Sequence, residues 1–274
     1  MEELKRQILE SIHYYRQLGV THVAARLQQP LTIVPKPKLE VVAAASPQTT
    51  HKAPSTSVSV NSVLSLVKKP APLQDTAALV AGITGSDARE TLSGLYAAFS
   101  NCRACALATT RHAFVFGEGA PDARLMFVGE GPGRQEDETG RPFVGDAGQL
   151  LTRIIEAMGL SRADVFIANV VKCRPPGNRA PLPDEMATCS PILKKQIETV
   201  KPEIVVALGG TALRFFKGEA CSIVRSRGVV FDWHGTPIMP TFHPAYILRN
   251  PAAKREVWDD MQAVMGLLGL ARGR

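Results

Sequence analysis

The sequence contains no run of about 18 apolar residues, the length a membrane-spanning helix requires. Its first residues, Met-Glu-Glu-Leu-Lys-Arg-Gln, lack the basic-then-apolar order of a secretory signal. Both absences lead to an expectation of a cytoplasmic protein with no membrane contact. Cysteine is scarce, five in 274 residues, and in that compartment thiols are seldom paired as disulfides. No internal repeat is visible, which argues against a solenoid or array.

What is present suits one substantial domain with attachments. Apolar residues make up 45% of the chain, and the formal net charge of +7 favours a polyanionic partner. In residues 1–28, Leu4, Ile8, Ile12, Tyr15 and Leu18 recur at helical spacing. An amphipathic helix is expected there, with an apolar face available to a protein partner. Residues 29–87 are rich in Pro, Ala, Ser, Thr and Val and lose that periodicity, so they read as a linker. A globular domain is expected over residues 88–270. Its apolar runs at Leu125–Val128, Val165–Val171, Glu203–Leu208 and Pro237–Phe242 alternate with helical patterns. That order predicts an α/β fold with a parallel sheet covered on both faces.

The domain is organised around residues 125–145. The strand-like run Leu125–Val128 leads into Gly129-Glu130-Gly131-Pro132-Gly133, which prevents a regular element and lets the backbone turn sharply. Glycine-rich turns leaving a parallel strand are where α/β sheets place ligands. The run Glu136-Asp137-Glu138 reads as a solvated face that at most supports the turn. Cys102 and Cys105 form a CxxC pair, while Cys173 and Cys189 have fifteen residues between them and flank a proline-rich loop. Four cysteines so grouped suit a structural zinc or an iron–sulfur cluster equally.

Taken together, Gly-Glu-Gly-Pro-Gly followed by Glu-Asp, Gly-Arg-Pro-Phe-Val-Gly, Asn-Val-Val-Lys-Cys-Arg-Pro-Pro and a late His-Pro resemble the family 4 uracil-DNA glycosylases. The resemblance covers roughly residues 92–268. It implies a three-layer α/β/α domain with a central, mainly parallel four-stranded sheet. It implies a structural 4Fe–4S cluster held by Cys102, Cys105, Cys173 and Cys189. The implied reaction is hydrolysis of the N-glycosidic bond of uracil flipped out of single- or double-stranded DNA, by a catalytic domain acting as a monomer.

The residues suit that chemistry. Alone, Phe143 would read as core, Asn169 as a turn residue and His243 as structural. Under the resemblance, Phe143 stacks on the flipped base, and the Asn169 amide reads uracil N3–H and O4. Backbone N–H groups around Gly129 and Gly131, with His243, stabilise charge developing on O2. Glu130 polarises water or stabilises the sugar cation. After His243, residues 245–249 read as a loop resembling the family's DNA-inserting segment, in which Ile247 and Leu248 are candidate wedges for the gap in the stack, with Arg249 for a phosphate. Arg174 and Arg179 offer further backbone contacts. The alternative function is a metal-stabilised nucleic-acid-binding module that cleaves nothing.

Overall fold

The computed structural model describes residues 75–270. The expected N-terminal helix and most of the expected linker lie outside these residues. Six strands form one sheet: β1 (Glu118–Gly119), β2 (Leu125–Gly129), β3 (Phe166–Asn169), β4 (Ile204–Leu208), β5 (Phe231–Trp233) and β6 (Thr236–Thr241). Their spatial order is β1-β3-β2-β4-β6-β5. The four expected strands, β3, β2, β4 and β6, are the parallel centre. Two short antiparallel edges, β1 and β5, bring the count to six rather than four. These edges are two and three residues long, too short to carry an alternating apolar pattern.

The helices are α1 (Thr76–Ala81), α2 (Ala88–Phe99), α3 (Arg134–Thr139), α4 (Asp146–Ala157), α5 (Pro183–Val200), α6 (Gly209–Lys217), α7 (Ile223–Ser226), α8 (Pro244–Arg249) and α9 (Lys254–Leu267). Strand residues alternate between two cores, as a pleated sheet with both faces covered requires. Met126, Val128, Val205 and Ala207 pack with Leu95 of α2 and Ile192 of α5. Leu125, Phe127, Ile204 and Val206 pack with Leu151 of α4 and Met261 of α9. Helices on both faces of the sheet make the expected three layers. Among the described residues no helix is long and apolar enough to cross a membrane.

Register decides where chemistry can occur. Gly129 stands opposite Asn169, and Leu208 opposite Thr241. The carboxyl ends of all four parallel strands therefore finish together. From β2 the chain crosses to β3 on one side and then to β4 on the other, which makes the end of β2 a topological switch point.

Residues 75–87, expected as the end of the linker, depart from that reading. Asp75 accepts from the Ala77 and Ala78 amides and caps α1. Thr76 donates to the Thr188 carbonyl of α5 at 2.7 Å, and Val80 joins the core. A chain beginning at residue 75 should accordingly outlast one beginning at residue 88 by about 1–3 kcal/mol in urea unfolding, the worth of one buried valine and its anchoring hydrogen bond. Equal midpoints would mean that α1 adds nothing to the domain.

Candidate active site

The strand ends open into a cleft of about 460 Å³ lined by Glu130, Phe143, Asn169, His243, Tyr246 and Arg249 among others. Asn169 is only 2% exposed, and its Oδ1 has no hydrogen-bond partner. A buried acceptor left unpaired is costly, so its place in a cleft marks it for a donor brought by a ligand. Gly129 makes room for it. A Cβ at residue 129 would lie 2.4 Å from Phe143 Cζ and 2.5 Å from Asn169 Oδ1.

Phe143 is held in a backbone conformation that side-chain-bearing residues rarely adopt, with φ of 52°. Three contacts fix it there. Gly148 of α4 lets the helix press on the Phe143 backbone, where a Cβ would meet the carbonyl carbon at 1.9 Å. Arg162 donates to the Phe143 and Pro142 carbonyls while paired with Glu118. Glu136 accepts from the Val144 and Gly145 amides, both at 2.8 Å, and from Gly133 at 3.1 Å. Glu136 is therefore a clamp between the glycine turn and the Phe143 loop, a stronger role than the solvated face expected of its charge run. It also consumes the Gly133 amide, and Pro132 has none. The turn keeps the amides of Glu130 and Gly131 for a ligand.

The imidazole of His243 lies 5.6 Å from the Phe143 ring, centre to centre. Its Nδ1 accepts from the Ala245 amide at 3.1 Å, so a neutral ring carries its proton on Nε2. Burial, assisted by the Arg249 charge and opposed by Glu136, pushes its pKa down to about 4. Glu130 accepts from the Thr211 hydroxyl, which in turn accepts from Arg214 at 3.0 Å. That chain fixes the carboxylate as an acceptor at the lip of the cleft.

The α8 segment, expected as a loop, is helical, with Pro244 at a position helix starts accept. Helical spacing turns Ile247 inward: it is 1% exposed and packs in the α4–α9 core, so it cannot act as a wedge. Leu248 is 45% exposed and free to do so. Arg249 lines the cleft. Arg179 also lines it, held by the buried carboxylate of Glu185, whereas Arg174 is engaged with Asn178.

Of the four grouped cysteines, Cys173 and Cys189 are buried in the core on the α2–α5 face of the sheet, and the half-buried Cys102 and Cys105 pack against the same core. Burial pushes the Cys173 thiol up to about 11 and that of Cys189 up to about 12, each raised further by neighbouring cysteines of the group. Arg111 donates to Cys173 Sγ at 3.1 Å. The fully buried Lys172 donates to the Asn169 carbonyl at 2.9 Å and to Gln196 at 2.6 Å, and lies within charge range of Cys189 and Cys173. Among the described residues no three His, Cys, Asp or Glu side chains are arranged to hold a metal ion. The donor set is all sulfur, with the Arg111 guanidinium against Cys173 and a lysine whose burial pushes its pKa down to about 7, and such a set suits a thiolate-bound group.

A family model described as the uracil DNA glycosylase superfamily matches residues 116–262. The chain is 52% identical over 165 residues to the type-4 uracil-DNA glycosylase of Thermotoga maritima, covering 59% of this chain and 86% of that protein. It is 47% identical over 172 residues to the type-4 enzyme of Saccharolobus solfataricus, covering 60% of this chain and 80% of that protein. The chain belongs to the uracil DNA glycosylase superfamily. Glu130, Phe143, Asn169 and His243 thus meet in one cleft of a superfamily member. Glu136, Arg162 and Thr211, which hold them, were not separable in sequence from ordinary surface residues.

The low pKa of His243 has a definite sign. In the unfolded chain the imidazole would take a proton near pH 6.5, but in the folded protein only near pH 4. Its contribution therefore lowers stability progressively as pH falls through that window. NMR titration of the His243 ring should give a midpoint near about 4; a midpoint near 6.5 would contradict its placement.

Proposed function

We propose that the protein removes uracil from DNA by hydrolysing the N-glycosidic bond of a flipped nucleotide, leaving an abasic site. The observation that carries this reading is the unpaired, buried Oδ1 of Asn169 beside the Phe143 ring and a neutral imidazole. Uracil supplies the missing donor at N3–H and can accept at O4 from the Asn169 amide. Cytosine presents the reverse pattern and would leave buried groups unpaired. Phe143 offers a face for stacking.

As the bond to C1′ breaks, negative charge gathers on uracil O2 and positive charge on the sugar. The Nε2–H of His243 donates to O2, with the Glu130 and Gly131 amides contributing. Because this imidazole is neutral, it stabilises the anion as a hydrogen-bond donor. Glu130 places a carboxylate beside the sugar, where it stabilises the cation and orients water. Leu248 fills the gap left by the base, and Arg249 and Arg179 meet phosphates.

Cys102, Cys105, Cys173 and Cys189 would hold a 4Fe–4S cluster. When bound, that cluster supplies a cross-link between the CxxC segment, the chain after β3, and α5. Lys172 and Arg111 balance the sulfur charge. Lys172 also ties this region to the backbone of the base-reading asparagine.

Single-turnover uracil release from an oligonucleotide tests the reading. His243→Ala should slow it by about 10²–10³-fold, the usual cost of losing a donor to a developing oxyanion. Asn169→Asp should slow it comparably while leaving the visible spectrum of the cluster unchanged. Unchanged rates in both variants would reject the site, and wild-type protein that binds DNA but releases nothing would favour a binding module. Leu248→Ala should impair release from duplex more than from single-stranded DNA, because only the duplex has a stack to refill; equal losses would remove Leu248 as the wedge.

A further inference from the structure

Asp260 lies on α9, away from the cleft lining, yet it is a carboxylate only 3% exposed. Its oxygens are fully engaged. Thr241, the last residue of β6, donates its hydroxyl to Oδ2 at 2.6 Å. Arg227 donates to Oδ1 at 2.7 Å and to Oδ2 at 3.2 Å, and also to the Glu256 carbonyl. The same unit grips the neighbouring residues of the strand end. Gly228 donates its amide to the Pro240 carbonyl at 3.0 Å, and the Arg227 guanidinium lies 5.6 Å from the centre of the Phe242 ring. Pro240 is thus held by the backbone next to Arg227, Thr241 by Asp260 and Phe242 by the Arg227 guanidinium, and the next residue is His243.

On its other side His243 has no slack. A Cβ at Gly209 would lie 3.0 Å from the His243 Cβ. His243 therefore stands between the start of α6 and a strand end that both the β4 ladder and Asp260 hold. Apolar side chains could have filled this space at lower electrostatic cost, since a buried ion pair loses much of its attraction to desolvation. What an ion pair adds is direction: two acceptor atoms with fixed partners define where the strand stops.

We propose that Asp260, through Thr241 and Arg227, is a positioning residue that holds His243 at the distance from which it donates to the leaving base; this rests on the glycosylase reading above. A displacement of the order of 1 Å at a reacting group can cost about 10²-fold in rate. A merely structural Asp260 would lower stability and slow every background alike.

The experiment is a double-variant cycle with a spectroscopic partner. Asp260→Asn, which keeps the shape, and Thr241→Val, which removes only the hydroxyl, are each combined with His243→Ala in the full chain. Each single change should slow single-turnover uracil release by about 10- to 100-fold. On the His243→Ala background the same change should cost at most about twofold, because the group being positioned is already gone. In the single variants the NMR signals of the His243 ring should move while those of the Asn169 side-chain amide stay in place. Equal slowing on both backgrounds, or an unmoved imidazole signal, would overturn the proposal. If Asp260→Asn fails to fold, Thr241→Val decides alone. Wild-type protein that released no uracil would fail the glycosylase reading, and the imidazole signal would still decide for or against Asp260.

Discussion

In the parallel ladder Gly129 faces Asn169 across β2 and β3, and the missing side chain at 129 is the constraint on which the cleft depends. A methyl group there would strike both the Phe143 ring and Asn169 Oδ1. Without it, an aromatic face and an unpaired buried acceptor share one space at the end of a sheet. The sheet sets the height of Asn169 by register, and register errors of one residue would turn its side chain to the other face. Both strands are buried on both sides, so the hydrophobic cores on either face of the sheet hold this alignment.

Around that pair, the charges that fasten the cleft stand on the surrounding helices and loops rather than on the central strands. Glu136 ties the glycine turn to the Phe143 loop, and Arg162 holds the same loop from the far side. Glu185 holds Arg179 at the mouth, and Asp260 holds the strand end before His243. Each of these carboxylates accepts at least two hydrogen bonds. The sheet supplies the floor of the cleft, and these paired charges fix the walls against which a flat base can rest. Burial likewise keeps the His243 imidazole neutral, which suits a donor that must not carry its own charge into the pocket.

Much of this was legible in the sequence, for identifiable reasons. The four central strands are apolar runs bounded by glycine, proline or charge, and two-sided burial writes itself as such runs. The edge strands were not legible, because two or three residues carry no pattern. The helix α1 was hidden in a Pro- and Ala-rich stretch, where one threonine and one valine decide the docking. Glu130, Phe143, Asn169 and His243 stood out through their motifs rather than through any property of the residues singly. Ile247 reads as a loop residue because a short segment after a proline carries little periodicity, whereas one helical turn suffices to bury it. The partners of these residues were illegible: Thr211 lies 81 positions from Glu130, and Asp260 lies 19 from Thr241. Only the fold brings them together.

The central claim is that the orphaned oxygen of Asn169 waits for the N3–H of uracil. Inhibition of uracil release by free uracil, compared with 3-methyluracil, addresses that contact alone, since the methyl group replaces the single donor in question. Uracil should inhibit, and 3-methyluracil should fail to do so at concentrations at least about tenfold higher, the equivalent of one lost hydrogen bond to a buried group. Equal inhibition by the two would mean that Asn169 does not read the base, and the cleft would need a different ligand.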